Sequence, residues 1–271
     1  MKFYSPLLCA MVLLSISAVA AQGIPLSSVK VLVVKGAASA VIGGVDDTTL
    51  DEGAILTEGD SIVTGNDGVV NLIFSNGAGL TIESSTSLIF SKLEQKPYWR
   101  SDPSEYPEEE ISSSTTMLEL KYGNIRGNVD GLREDSEFRV KTGMGEALVS
   151  GKAFFTELYF DSFRNEFVFN VQNIDGSIDL ITKFSGPVKF ERNGMATKSY
   201  DPKASDIQVV RIPPGQTFSV RRSKFSPEYR NLVLEFPKDA TSRLILNVGA
   251  IEPYPVDQEV MVVSPNGSGS M

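Results

Sequence analysis

The 271-residue chain contains no histidine and only one cysteine, Cys9, which lies near its start. Catalysis by Ser-His-Asp or Cys-His groups and zinc binding through imidazole all require residue types that are absent, so these kinds of site are excluded. With a single cysteine, no disulfide can form within the chain. The fold must therefore depend on burial of apolar side chains, and a chain of this length is long enough to bury a sizeable core.

Basic residues are in the minority, with 25 Lys and Arg against 34 Asp and Glu and a formal net charge of −9. Such a surface repels nucleic acid and anionic lipid, so we predict that nucleic acid is not a partner. The inventory still permits a hydrolase that works with two carboxylates, but no spacing selects a pair among the acidic residues. We therefore predict a protein without catalytic activity, cofactor or metal.

The first 21 residues have the pattern of a secretory signal peptide. Lys2 precedes an apolar run over residues 7–19, and small residues follow at Ala20 and Ala21. The run is too short for a comfortable membrane span, so we predict cleavage near Ala20 or Ala21 and no stable membrane insertion afterwards. The predicted location is extracytoplasmic, in the periplasm, on the cell surface or in the medium.

The stretch over residues 50–82 predicts short strands joined by tight turns. Val70, Leu72 and Phe74 alternate with a second set of side chains, and this period of two places one set on the core face of a strand. Asn76-Gly77 supplies residues that tolerate positive φ, as a tight hairpin requires, and further turns are expected over residues 58–60 and 66–68. The unit is therefore predicted to be all-β.

Turn signals continue along the chain at intervals of about ten to twenty residues, a spacing typical of an antiparallel sandwich or barrel. We predict antiparallel hairpins forming a twisted sandwich or barrel-like domain over residues 28–160. A C-terminal β portion should follow over residues 161–250, with a tail over 251–271. Residues 123–127 are interpreted as a turn between strands. Only residues 226–235 have the start signals of a short helix.

Residues 91–116 interrupt the strand pattern with three prolines and the only tryptophan of the chain, and they are predicted to form an insertion loop. Tyr98, Trp99 and Arg100 combine two aromatic rings with a guanidinium, which makes them candidate contact residues. The alternative is an aromatic patch that folds back over the domain's own core. Arg126 is a fourth candidate for binding an anionic ligand or partner, although pairing with a neighbouring carboxylate is favoured.

The order of glycines and apolar residues in the hairpin region resembles the FecR-domain family. A leucine and a glycine are followed by Gly-Asp, Thr-Gly, alternating apolar residues and a last glycine before another strand. These positions are Leu50, Gly53, Leu56, Gly59, Asp60, Ile62, Thr64, Gly65, Gly68, Val70, Leu72, Phe74, Gly77, Leu80 and Ile82. Residues 123–127, 138–142 and 214–216 continue the resemblance, whereas residues 150–152 depart from it.

The resemblance implies an extracytoplasmic β domain of a bacterial envelope protein. FecR regulators in the strict sense also have a cytoplasmic helical segment that binds a sigma factor and a transmembrane helix, and neither is visible here. We therefore expect a non-catalytic protein-binding or signal-receiving module whose partner is an envelope protein. The alternative is an envelope structural protein or a carbohydrate-binding module that binds glycan through its aromatic loop, and a carboxylate-pair polysaccharide hydrolase comes third.

Overall fold

The computed structural model describes residues 26–99, 106–183, 188–192, 195–200 and 207–223. Eighteen strands and no helix occur in this part of the chain, so no helix there could cross a membrane. The predicted signal peptide, the predicted helix over residues 226–235 and the predicted tail lie outside the described residues. The all-β fold class predicted from sequence is confirmed.

The strands in chain order are β1 (Val29–Lys35), β2 (Ala38–Ile42), β3 (Val45–Thr49), β4 (Ile55–Leu56), β5 (Ser61–Thr64), β6 (Val69–Phe74), β7 (Gly79–Ile82), β8 (Ser87–Gln95), β9 (Ser114–Asn128), β10 (Glu137–Thr142), β11 (Gly145–Val149), β12 (Ala153–Asp161), β13 (Glu166–Asp175), β14 (Ile178–Lys183), β15 (Val188–Arg192), β16 (Met195–Tyr200), β17 (Ile207–Ile212) and β18 (Gln216–Ser223).

The strands form two sheets that share β9. Sheet A has the order β4-β1-β6-β7-β9-β12-β13-β18-β15-β16. Sheet B has the order β3-β2-β5-β8-β9-β10-β11-β14-β17. Every described pairing is antiparallel except β9 with β10, which is parallel. The sheets form an open sandwich, which is one of the two predicted arrangements.

Strand β9 passes from one sheet into the other without interruption. Its residues 114–122 pair with β8 in sheet B, and its residues 123–128 pair with β12 in sheet A. The change of sheet occurs at Gly123, whose φ of +91° favours glycine. A Cβ added to Gly123 would lie 2.3 Å from Oγ1 of Thr86. The predicted turn over residues 123–127 is therefore wrong, because glycine here serves a bend and a close approach within one strand.

Four buried phenylalanines join the two sheets through the core. Phe74 of sheet A contacts Phe90 and Phe138 of sheet B, with ring centroids 6.2 and 5.9 Å apart. Phe138 in turn lies 5.6 Å from Phe154 of sheet A. These side chains are at most 2% exposed and belong to one apolar cluster. Edge-to-face and tilted aromatic pairs of this kind add to the free energy gained from burial alone.

Gly127 on β9 pairs with Phe154 on β12. Because glycine has no side chain, it leaves room for the Phe154 ring. A Cβ at position 127 would lie 2.1 Å from Cε1 of Phe154, well inside van der Waals contact. The ring is fully buried and also contacts Phe138, so it has little room to move. Any side chain at position 127 must therefore displace an aromatic ring that links the sheets.

We predict that Gly127→Ala lowers the free energy of unfolding by about 2 kcal/mol, because overpacking a core typically costs 1–3 kcal/mol. Gly53→Ala gives the opposite case for comparison, since Gly53 has a positive φ and nothing within 4 Å of its added Cβ, whereas Gly127 has a crowded Cβ position and no positive φ. Backbone strain alone should cost about 1 kcal/mol at Gly53. Urea unfolding measures the free energy of unfolding of both variants. The smaller side chain of Phe154→Leu should make room for the added methyl group, so the double variant should lose less stability than the two single variants together. A loss equal to their sum would contradict the assignment.

Candidate functional site

The segment that interrupts the strand pattern is shorter than the sequence indicates. Strand β8 continues to Gln95 and β9 begins at Ser114, so the connection comprises residues 96–113, here called the insertion loop. Its two arms are joined at the base, where the Lys96 amide donates to the Ser113 carbonyl at 3.0 Å and the Ser112 hydroxyl donates to the Lys96 carbonyl at 2.6 Å. The loop therefore leaves the sandwich from a closed base.

The returning arm of the insertion loop packs on two turns of the sandwich. The carbonyl oxygen of Pro107 lies 2.4 Å from where a Cβ on Gly77 would be, and that of Glu108 lies 2.7 Å from the same position on Gly131. Both glycines have positive φ. Tyr106, at the start of this arm, is 9% exposed. The returning arm thus packs against the predicted Asn76-Gly77 turn. Only glycine at position 77 allows the backbone of the arm to approach this closely.

Glu110 anchors the insertion loop to the connection between β9 and β10. Its side chain is 5% exposed, and Oε2 accepts hydrogen bonds from the Arg133 amide at 2.9 Å and from the Ser136 hydroxyl. The Glu110 amide donates to the Gly131 carbonyl, also at 2.9 Å. A buried carboxylate is stable only when such donors replace water, so these bonds hold the returning arm in place.

The anchoring role of Glu110 is not evident from the sequence. It belongs to the acidic run Glu108-Glu109-Glu110, and nothing in that run distinguishes the buried member from its exposed neighbours. Its hydrogen-bond donors lie 23 and 26 residues away along the chain. Only the tertiary arrangement brings them together, so no local pattern could have identified it.

Of the candidate contact residues, Trp99 is 85% exposed, whereas Tyr98 is half-buried. Arg100 lies outside the described residues. The exposure of Trp99 argues against the alternative of folding back over the core for this ring, whereas the buried hydroxyl of Tyr98 fits that alternative. Ile111, on the returning arm, is 47% exposed. The insertion loop therefore presents two large apolar side chains to solvent from a base that is held by packing and hydrogen bonds.

Arg126 lies on β9, between Thr81 of β7 and Phe155 of β12. Its Nε atom is 2.9 Å from Oε1 of Glu83, and its guanidinium lies 5.6 Å from the centre of the Phe155 ring. Burial lowers the pKa of Arg126, against the opposing effect of the Glu83 carboxylate. The favoured pairing with a neighbouring carboxylate is therefore confirmed, and this arginine is engaged by neighbours within the protein.

A small polar cleft lies beside the base of the insertion loop, lined in part by Ser75, Asn76, Gln95 and Ser114. Its lining is already bonded to itself, because Ser75 donates to Gln95 at 2.8 Å and Asn76 donates to Ser114 at 2.9 Å. The cavity volume of about 10 Å³ has room for roughly one water molecule, whereas ligand pockets usually begin at roughly 300 Å³. Within the described residues, no group of three or more Asp, Glu or Cys side chains is placed to hold a metal ion.

Comparison with known protein families finds no family model that matches the chain, and no curated protein matches it. Two solved structures match, both crystal structures of a candidate anti-sigma factor from Parabacteroides distasonis ATCC 8503, at 2.50 and 1.65 Å resolution. Each has 13% identity and a TM-score of 0.35, and the match covers 60% of this chain and 59% of that chain. Similarity at this level carries no argument about function, so the FecR-domain resemblance stays a prediction.

We predict that Glu110→Gln loosens the base of the insertion loop, because an amide cannot replace the charge-assisted hydrogen bonds of the carboxylate. The free energy of unfolding should fall by about 1–3 kcal/mol, and the Arg133 amide should exchange faster with deuterium. The neighbouring Glu109→Gln is the control, since this exposed side chain should change stability by less than about 0.5 kcal/mol. Equal effects of the two substitutions would show that Glu110 is not an anchor.

Proposed function

We propose that the protein is an extracytoplasmic, non-catalytic binding module that contacts a partner protein of the bacterial envelope through the insertion loop. The observation that carries this proposal is the 85% exposure of Trp99 on a loop whose base is anchored. The sequence resemblance to FecR domains and the signal-peptide pattern of residues 1–21 support the bacterial envelope as its place of action.

The large indole ring of Trp99 and the fixed base of the insertion loop both favour binding. A tryptophan side chain contributes roughly 200 Å² of surface, so burying Trp99 against a partner would yield about 4 kcal/mol before the costs of association. Because Lys96, three residues before Trp99, is hydrogen-bonded to Ser112 and Ser113, the arm that carries Trp99 starts from a fixed point, which reduces the cost of ordering the backbone. Tryptophan is accordingly enriched among residues that dominate binding energy.

The chain's chemistry supports binding over catalysis. Histidine is absent, and the single cysteine lies within the predicted signal peptide. In the described part of the chain, no group of three or more carboxylates is placed to hold a catalytic metal ion. A module of this composition can recognise a partner by shape, apolar area and charge.

A carbohydrate ligand is the second candidate, because an exposed indole beside a tyrosine is also a surface on which a sugar ring can stack. The polar cleft beside the loop gives this candidate little further support, since its hydroxyl and amide groups are bonded to one another. Stacking would have to occur on Trp99 and Tyr98 alone. The two candidates differ in the class of ligand that buries Trp99.

We predict that Trp99→Ala removes capture of an envelope protein. The tagged protein is used to recover partners from solubilised envelope of its own source, beside the variant Phe163→Ala. Phe163 is the matched control, because it is 81% exposed and lies in the connection between β12 and β13, not in the insertion loop. The loss of a central tryptophan commonly costs 2 kcal/mol or more, so affinity should fall about thirtyfold.

Retention of the same protein by Trp99→Ala, or its equal loss with Phe163→Ala, would contradict the proposal. Tryptophan fluorescence distinguishes a carbohydrate ligand from a protein partner. Trp99 is the only tryptophan of the chain, so its emission reports on the surroundings of this one side chain. Soluble envelope glycans should leave its emission unchanged, whereas the captured protein should shift the emission to shorter wavelength. A shift with glycan alone would favour the carbohydrate-binding function.

A further inference from the structure

We infer that the outer face of sheet A, over strands β12, β13 and β18, is a docking surface for residues 224–250 of the same chain. The outer face is the side of the sheet that is turned away from the apolar core. This inference goes beyond the proposed function and is independent of it, because that function concerns the insertion loop.

The outer face of these three strands is mostly polar. Phe169, Val171 and Val220 belong to the core cluster, so the residues that alternate with them along the strands point to the other side of the sheet. Across β12, β13 and β18 these residues form three rows, which are Phe155, Gln172 and Thr217, then Glu157, Asn170 and Ser219, then Tyr159, Val168 and Arg221.

This polar face is nevertheless closed to solvent. Asn170 and Gln172 are each 2% exposed, Arg221 is 4% exposed, and Val168 is fully buried although it does not belong to the core cluster. Burial also raises the pKa of Tyr159 to about 12. An antiparallel sheet that packs on a core with one side normally leaves its other side solvated. These exposures are those of a single chain, so a further layer of this chain covers the face.

The described strands cannot provide that layer. All of them belong to sheet A or to sheet B, and sheet B packs against the core-facing side of sheet A through the contacts of Phe138 with Phe74 and Phe154. The neighbouring strands of sheet A lie beside the outer face and not above it. The cover must therefore come from residues outside the described ranges.

Polar groups of the outer face are bonded to one another in a way that suits burial. The Ser219 hydroxyl donates to Oδ1 of Asn170 at 2.6 Å, and the Asn170 amide donates to the Glu157 carboxylate at 3.0 Å. Arg221 lies 3.5 Å from Oδ2 of Asp161, and both side chains are at most 6% exposed. Buried polar groups are tolerated when they have such partners, so a segment can cover this face at little cost.

Only the segment after β18 has the length and the starting point for this position. Strand β18 ends at Ser223, which pairs with Glu166 beside the row of Arg221. The other undescribed stretches after residue 26 contain at most six residues before that point, and residues 1–21 are the predicted signal peptide. The rows from Arg221 to Thr217 span about 13 Å, at about 3.3 Å per residue along a strand. The 27 residues of 224–250 can cover that distance.

The composition of residues 224–250 also fits a packed position. Leucine, isoleucine and valine fill the runs 232–234 and 244–246, and the outer face offers them Val168 and the half-buried rings of Phe155 and Tyr159. Burial of these apolar groups favours docking. The outer face of sheet A is thus an internal binding surface and is closed to other molecules.

Photochemical cross-linking in the full chain tests this inference. The variants Tyr159→p-benzoylphenylalanine and Phe155→p-benzoylphenylalanine place a photoreactive ring at two positions of the outer face. Val209→p-benzoylphenylalanine is the control, because Val209 is 60% exposed on β17 of sheet B. After irradiation and digestion, mass spectrometry should find residues 224–250 joined to positions 159 and 155. The yield from position 209 should be at least about tenfold lower, since the ring captures only groups in contact, within roughly 4 Å.

Urea unfolding of each variant first establishes that it is folded, and the second outer-face position serves where the first variant is not. Cross-links from both outer-face positions to a second molecule, or only to segments other than 224–250, would overturn the inference. An equal yield of the 224–250 product from position 209 would overturn it as well.

Discussion

The hydrogen bonding of β9 to both sheets is the constraint on which the rest of the structure depends. Its 15 residues pair with β8 and β10 in sheet B and then with β7 and β12 in sheet A. Because one strand belongs to both ladders, neither sheet can separate without disturbing the other. The change of sheet requires a positive φ at position 123, a conformation that glycine adopts readily. The contact between Phe74 and Phe138 holds the two sheets together through the core.

Strand β9 also holds the base of the candidate site in place. The insertion loop ends where β9 begins, and the amide of Ser114, the first residue of β9, donates to the same Ser136 hydroxyl that donates to Glu110. Buried residues such as Glu110 hold the base of the insertion loop, while Trp99 and Ile111 face solvent. An anchored base that carries exposed apolar side chains lowers the ordering cost of binding.

The sequence predicts the parts of this structure that are local. Alternation in β6 identified Val70, Leu72 and Phe74 as core residues, and each is at most 2% exposed. The same alternation did not predict that Asn71 and Ile73, on the opposite face of the strand, are also buried. A period of two indicates which residues share a face, but not that the second face is covered as well. The continuity of β9, its parallel pairing with β10 and the anchoring role of Glu110 depend on partners distant in sequence. Composition predicted a loop that carries Trp99 but did not decide whether its aromatic residues are exposed or fold back over the core. The pairing of Arg126 with a carboxylate was correctly expected.

Native-state hydrogen exchange of the β9 amides tests the central claim most directly, namely that one strand unites both sheets into a single cooperative unit. The account predicts that amides in residues 115–122 and in residues 123–128 share one opening free energy, the highest in the chain and equal to that of global unfolding. Two distinct opening free energies, with residues 123–128 exchanging through an opening of sheet A alone, would contradict it.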